Sequence, residues 1–245
     1  MQRIGRERKV VVEDAFEAIE GKATTSVFLT CEHASQRLPE GYRWHPRDER
    51  LLGTHWAYDL GAADLTRELA AALDAPAVLS RFTRLLLDPN RNEDSETLFL
   101  AEAEGEPVEL NRDITEAEAA RRIERFHRPF HAAIDTRLGP HRAEVIFSIH
   151  SFTPVFQGQR REMEVGVLFD EEDELAERAA AAIREAGFVT AMNEPYSGKA
   201  GLIYSAGRHA KAHERRALEL EVRQDLSVRP EIRARLVDAL ARFFS

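Results

Sequence analysis

Short apolar runs alternate along the chain with longer stretches of helical periodicity, and that alternation predicts an α/β fold. Runs rich in Val, Ile, Leu or Phe predict strands at Ser26–Cys31, Ala77–Ser80, Arg84–Asp88, Glu144–His150, Met163–Phe169, Phe188–Met192 and Leu218–Val222. Apolar residues at helical spacing predict helices over His55–Leu73, Thr115–Leu138, Glu171–Ala186 and Pro230–Phe244. Thr115, with Glu118 three residues on, has the form of a capping box at a helix start. Several strands are apolar throughout, as strands are when helices cover both faces of a sheet. The expected architecture is one α/β domain with a mixed, mostly parallel sheet flanked by helices. Residues 1–24 carry one short apolar run and much charge, and read as a loosely tied lead-in to a domain over residues 25–245. The acidic, turn-prone stretch Asn92–Asn111 reads as an excursion from the fold and a candidate lid.

Composition narrows the function. At 43% hydrophobic residues the 245-residue chain can build a substantial core. A formal net charge of −9 argues against nucleic acid as a partner, because phosphate binding relies on clustered Lys and Arg. Basic clusters such as RRIER are interleaved with acids and read as solvated faces. A single cysteine excludes an internal disulfide and points to a reducing compartment. No apolar run reaches the length of a membrane span, and no basic-then-apolar leader opens the chain. The expectation is a soluble cytoplasmic protein without a membrane or nucleic-acid role. No feature of the sequence sets an oligomeric state.

Chemistry gathers where the strands end. Ser26–Cys31 runs into Glu32 and His33; EVIFSI runs into His150 and Ser151; RLLLDPNR carries Arg84, Asp88, Asn90 and Arg91; LELEVRQD carries Glu219, Glu221 and Arg223. In open α/β sheets the carboxyl ends of strands are where ligands bind. A histidine at the end of two apolar runs is how a rigid sheet assembles a metal site. In HWAYD, His55 and Asp59 stand four apart, on one face of the expected helix, where Asp59 is a candidate oxygen ligand. Two histidines, a carboxylate and an open position form the catalytic zinc pattern, in which bound water becomes a nucleophile near neutral pH. Such water needs a base. Glu221 lies mid-strand, where a charge is costly without a role or partner, and Glu219 shares its face. The plain alternative for both is an edge strand with one wet face. Arg84, Asn90 and Arg91 suit a substrate carboxylate through forked hydrogen bonds. Tyr196 and Ser197, in the PYSG turn, are candidates to face the site. His127, His131 and His141 read as surface or packing residues, and Cys31 as a buried strand residue.

CEHASQRLP, HWAYDLGA, SRFTRLLLDPNR, FSIHSFTP, NEPYSG and LELEVRQDL occur in that order between about residues 31 and 226. Together they resemble the N-formylglutamate amidohydrolase family. The resemblance implies a fold similar to zinc-dependent carboxypeptidases and aspartoacylases, which is phosphorylase/hydrolase-like. It further implies cleavage of an N-formyl or N-acyl amino acid by water on one divalent metal, zinc by expectation, with a glutamate base. Carried across motif by motif, it implies His33 and His150 as metal ligands with Asp59 as the third. It implies Arg84 beside the scissile carbonyl, Asn90 and Arg91 on the substrate carboxylate, and Glu221 rather than Glu219 as base. The carboxypeptidase-like pattern places Glu three residues after the first histidine, where this chain has Gln36, so Glu32 and His55 remain rivals to Asp59. Two alternatives stand beside this reading. One is a carboxypeptidase-like hydrolase of another acyl amino acid. The other is a catalytically silent protein that binds a carboxylate-bearing metabolite.

Overall fold

The computed structural model describes residues 9–245. In chain order its strands are β1 (Val10–Val12), β2 (Phe16–Ile19), β3 (Val27–Cys31), β4 (Ala77–Ser80), β5 (Glu102–Ala103), β6 (Glu106–Pro107), β7 (Val145–Phe152), β8 (Val155–Phe156), β9 (Gln159–Arg160), β10 (Val165–Leu168), β11 (Thr190–Met192) and β12 (Arg216–Arg223). Its helices are α1 (Ala62–Leu73), α2 (Glu116–Arg122), α3 (Arg128–Leu138), α4 (Asp173–Glu185), α5 (Tyr204–Ala212), the single turn α6 (Gln224–Ser227) and α7 (Pro230–Phe244).

Eight strands form one sheet in the order β1-β2-β4-β3-β7-β12-β10-β11. The centre is parallel, with β3 beside β4 and β7, and β7 beside β12. β10 runs antiparallel to β12, and β1 and β2 add an antiparallel edge. Alternate residues of the central strands serve two cores. Leu29, Phe147, Ile149, Leu218 and Leu220 pack on one face against Leu65 and Leu69 of α1, Ile183 of α4 and Leu240 of α7. Phe28, Val78 and Ile146 pack on the other against Phe130 and Ile134 of α3 and Ala206 and Ala210 of α5. The doubly covered sheet is why its strands read as continuous apolar runs. Among the described residues no helix is long and apolar enough to cross a membrane.

The local structure departs from the sequence pattern in several places. Arg84–Asp88 forms turns instead of a strand, since Leu85 packs into one small cluster with Leu51 and Ala57 while Leu86 and Leu87 enter the α3 core. The first long helix begins at Ala62, not His55, because Gly61 precedes it at φ 77°. Residues 10–19, expected to be loosely tied, pair as a hairpin against β4; residues 1–8 of that segment lie outside the described residues. α5 has no counterpart among the expected helices. The stretch Thr115–Leu138 is helical throughout but passes through a π-turn at Ile123–His127. The excursion Asn92–Asn111 is anchored: Asp48 accepts the backbone N–H groups of Glu109 and Leu110, and Asn111 donates to the carbonyls of Leu85 and Leu100.

Candidate active site

The parallel strands β3, β7 and β12 bring their carboxyl ends together at the centre of the sheet. β3 leads into Glu32 and His33, β7 carries Ser148 and His150, and β12 carries Glu219 and Glu221. Turns supply the rest. The N–H of Asp59 donates to the His33 carbonyl (2.9 Å), which seats the HWAYD segment against the end of β3. Thr83 Oγ1 and the Arg84 N–H both donate to the Ala57 carbonyl, bringing the second turn segment alongside. The result is a cavity of about 140 Å³ whose lining includes His33, Asp59, His150, Arg84, Asn90 and Glu221.

Three donor atoms converge in it. His150 Nδ1 lies 2.8 Å from Asp59 Oδ2 and 3.1 Å from His33 Nδ1, and His33 Nδ1 lies 3.4 Å from Asp59 Oδ2. Donors bound at about 2.0–2.1 Å around a tetrahedral ion stand roughly 3.3 Å apart, so the triad has close to the spacing a zinc-sized cation requires. Each imidazole is backed at its other nitrogen, His33 Nε2 by Asp88 Oδ1 (2.7 Å) and His150 Nε2 by Glu32 Oε2 (3.0 Å). Carboxylates behind metal-bound histidines have this arrangement. Two nitrogens facing each other across one carboxylate oxygen are poorly served by protons alone. The donor set therefore fits a divalent cation.

The surrounding charge points the same way. Glu32, Asp59, Asp88, Glu219 and Glu221 are all buried, against Arg84 and the two imidazoles. Burial pushes Asp59 and Asp88 up, but the neighbouring histidines for Asp59, and Arg84 with His33 for Asp88, hold both well below the ordinary carboxylate range. Glu32, although fully buried, is held at about 2 by hydrogen bonds from His150 and Ser148. Burial dominates at Glu219, raised to about 7, and drives Glu221 up strongly. Burial lowers His150, but the charge of Glu219 and hydrogen bonds to Asp59 and Glu32 outweigh it, so the imidazole favours its cationic form. A site that favours a charged imidazole in this way is short of positive charge.

Not every residue singled out in the sequence reaches the cavity. Of the rivals for the third ligand, Glu32 lies behind His150, and His55 lines the cavity from a turn, so the expected i, i+4 helix pairing with Asp59 does not form. Gln36 turns away to accept the Gly53 N–H (2.7 Å). β12 is interior, which replaces the wet-edge alternative with two buried glutamates. Arg84, Asn90, Arg91 and Tyr196 line the cavity; Ser197 does not, and its carbonyl accepts the N–H groups of Ala200 and Leu202. The loop bearing Tyr196 is stitched by Asn193, whose Oδ1 accepts from the N–H groups of Phe169 and Gly198.

Sequence reasoning left several supporting residues without a role. Asp88 joins His33 to Arg84 (2.8 Å) and also accepts the Asn90 N–H. His127, placed by the π-turn, donates through Nε2 to the Arg91 carbonyl (2.9 Å), and the Ser205 N–H donates to Asn90 Oδ1 (2.9 Å). His127, His131 and His141 are all buried, so the packing half of their reading holds and the surface half does not. The one local signal was the DPN turn, since an Asp preceding Pro-Asn commonly accepts a backbone N–H two residues on.

Comparison with known proteins gives this geometry a context. No curated protein matches the chain in sequence. Among solved structures, gene product Atu2144 from Agrobacterium tumefaciens is similar at 30% identity and a TM-score of 0.87, over 95% of this chain and 94% of that one. An N-formylglutamate amidohydrolase from Ralstonia eutropha JMP134 shares the fold at 20% identity and a TM-score of 0.71, over 95% of this chain and 96% of its own. The family model described as N-formylglutamate amidohydrolase matches residues 25–228, a span that contains His33, Asp59 and His150, both strand glutamates and the Asn90–Arg91 turn. On that match the chain belongs to the N-formylglutamate amidohydrolase family.

Proposed function

We propose that the protein hydrolyses the amide bond of an N-formyl or N-acyl amino acid, N-formylglutamate-like in class, with a zinc ion held by His33, Asp59 and His150. Family membership makes it a hydrolase of amide C–N bonds; the substrate and the ion are the inference. The observation that carries it is the convergence of His33 Nδ1, His150 Nδ1 and Asp59 Oδ2 within one small cavity whose lining also includes Glu221, Asn90 and Arg91. When bound, such an ion supplies an acidified water and polarises a carbonyl.

The chain's own groups do the rest. Glu221 takes a proton from the attacking water as its oxygen bonds to the acyl carbon, and gives that proton to the nitrogen as the C–N bond breaks. Among the described residues its buried Oε2 has no hydrogen-bond partner, which leaves the atom uncommitted for this exchange. Glu219 lies 3.5 Å from His150 Nε2, behind the imidazole, and serves the charge balance. Arg84 presents its guanidinium to the developing oxyanion, electrostatic help that usually contributes most to such a reaction. Asn90 and Arg91 grip the free carboxylate and orient the scissile bond. Tyr196 closes one side of the cavity.

The test is turnover of N-formyl and N-acetyl amino acids by the zinc-loaded protein, read as released amine, beside a His33→Ala, His150→Ala double variant. Amine release by the wild type alone is the expected result. A wild type that carries the ion yet cleaves none of these compounds would sink the substrate assignment.

A further inference from the structure

A second group of histidines lies away from the cavity, between α3 and α5. His209, in the last turn of α5, and His213, just past its end, stand four residues apart and turn toward Asp135 of α3. His209 Nδ1 lies 2.7 Å from Asp135 Oδ1, and His213 Nε2 lies 2.9 Å from the same oxygen. The other nitrogen of His209 meets His131 Nδ1 at 2.9 Å. The His209 side chain is fully buried, that of His213 is 21% exposed and that of Asp135 36% exposed, so the group has a fixed inner wall and an open outer side.

We propose that Asp135, His209 and His213 form a second divalent-metal site, selective for imidazole-preferring ions such as Zn2+ or Co2+, that staples α3 to α5. Histidines four apart on a helix with a carboxylate from a neighbouring element supply three ligands of the type zinc takes, and the solvent side leaves the fourth position for water. His131 gives the buried His209 the outer hydrogen bond that metal-bound imidazoles have. Two neutral imidazoles and one carboxylate do not suit Ca2+ or Mg2+, which take oxygen. The nearby cation is Arg208, with Nη2 3.8 Å from Asp135 Oδ2 and Nη1 3.3 Å from His209 Nε2. Its half-exposed side chain weakens the site relative to the carboxylate-rich cavity, so the cavity fills first.

The staple has a consequence for the cavity, which rests on the function proposed above. α5 holds Asn90 through the Ser205 N–H, and the turn leading into α3 holds the Arg91 carbonyl through His127. An ion joining α3 to α5 therefore fixes both supports of the carboxylate grip from outside the cavity.

The experiment is zinc uptake by chelator-stripped protein, measured by equilibrium dialysis and metal analysis. The wild type is expected to take up about two ions per chain; His213→Ala and Asp135→Asn are each expected to take up about one, as is the His33→Ala, His150→Ala variant. In that last background, Co2+ should give the visible absorption of a tetrahedral site, lost on adding His213→Ala. One ion in the wild type, kept by His213→Ala and lost from the His33→Ala, His150→Ala variant, would overturn the second site. One ion kept by the latter variant and lost with His213→Ala would uphold it while removing the metal from the cavity. The two proposals can thus fail separately.

Discussion

His150 and Glu221 stand directly opposite each other on the adjacent parallel strands β7 and β12. Their side chains share the face that carries the cavity, so one backbone ladder sets the distance between an imidazole of the triad and the candidate base. Ser148 and Glu219 are paired two residues earlier, and the Ser148 hydroxyl donates to Glu32, which in turn backs His150. Ser148 and Glu219 are thus strand-borne, and Glu32 follows directly on the end of β3, which favours geometric precision over adaptability.

The first prediction follows from that pairing. Glu221→Gln keeps the shape of the side chain and removes its capacity to take a proton. It should lower kcat by about 10²- to 10⁴-fold, the usual reach of a positioned general base. Metal content should stay at the wild-type level, because Glu221 is not among the converging donors. Paired kinetics and metal analysis check both halves; a variant that turns over at the wild-type rate removes Glu221 from the mechanism.

The ingredients of the site were readable because they sit on or just after apolar runs, and sheet topology does the assembling. Ala77–Ser80 and Pro230–Phe244 have the boundaries expected from periodicity; β7 starts one residue late and runs two further, and β12 is longer than expected at both ends. What was hidden depends on contacts distant in sequence. The LLL of Arg84–Asp88 has strand composition, yet Leu85 goes to one cluster and Leu86 and Leu87 to another, which no alternation rule anticipates. Asp59 reaches the histidines from a turn instead of a helix face, so its proximity to them came with the wrong local reason. The role of His127 hangs on a π-turn that shifts the helix face by part of a turn, and helical periodicity assumes no such shift.

Gly166 is a position where space decides the outcome. It pairs with Glu221 across β10 and β12, and a Cβ there would sit 2.0 Å from the Glu194 carbonyl oxygen and 3.4 Å from Glu221 Cβ. Backbone at that distance must move. Gly166→Ala should lift the loop that carries Tyr196, raise KM severalfold and destabilise the protein by about 1–3 kcal/mol, the range for overpacking a tight site. Thermal melting and KM measured together test this; unchanged values in both would show that the loop relaxes freely.

The buried glutamates give the metal-free protein a characteristic pH dependence. Burial, reinforced by the Glu32 charge and opposed by His150, raises Glu219 from 4.5 to about 7. A carboxyl whose folded value is raised contributes stability that is present below its unfolded value and lost as pH rises through the folded one. The contribution of Glu219 therefore fades between about pH 4.5 and 7. Glu32, held at about 2, has the opposite sign, but its stability is complete above about pH 4.5 and adds no slope at higher pH. Urea midpoints in the presence of a chelator should fall between pH 5 and pH 8. Glu219→Gln should make that fall shallower; the raised Glu221 and His150 act in the same direction, and the lowered His131, His127 and His55 oppose it below about pH 6.5. An equally steep fall in the variant would mean that Glu219 ionises freely in the fold.

Arg91 separates recognition from chemistry. Its carbonyl is fixed by His127 and its Nη1 donates to the Asn90 carbonyl, so truncating the side chain leaves the backbone anchor in place. If its guanidinium grips the substrate carboxylate, Arg91→Ala loses a charge-assisted pair and should raise KM by about 10- to 100-fold, with kcat within a few-fold of wild type. Arg91→Lys should recover part of the loss, since an ammonium keeps the charge without the fork. The control is a substrate whose carboxylate is converted to an amide: the wild type should handle it poorly, and Arg91→Ala should handle it no worse. A KM that rises equally for the acid and its amide would mean that Arg91 shapes the cavity without reading the carboxylate.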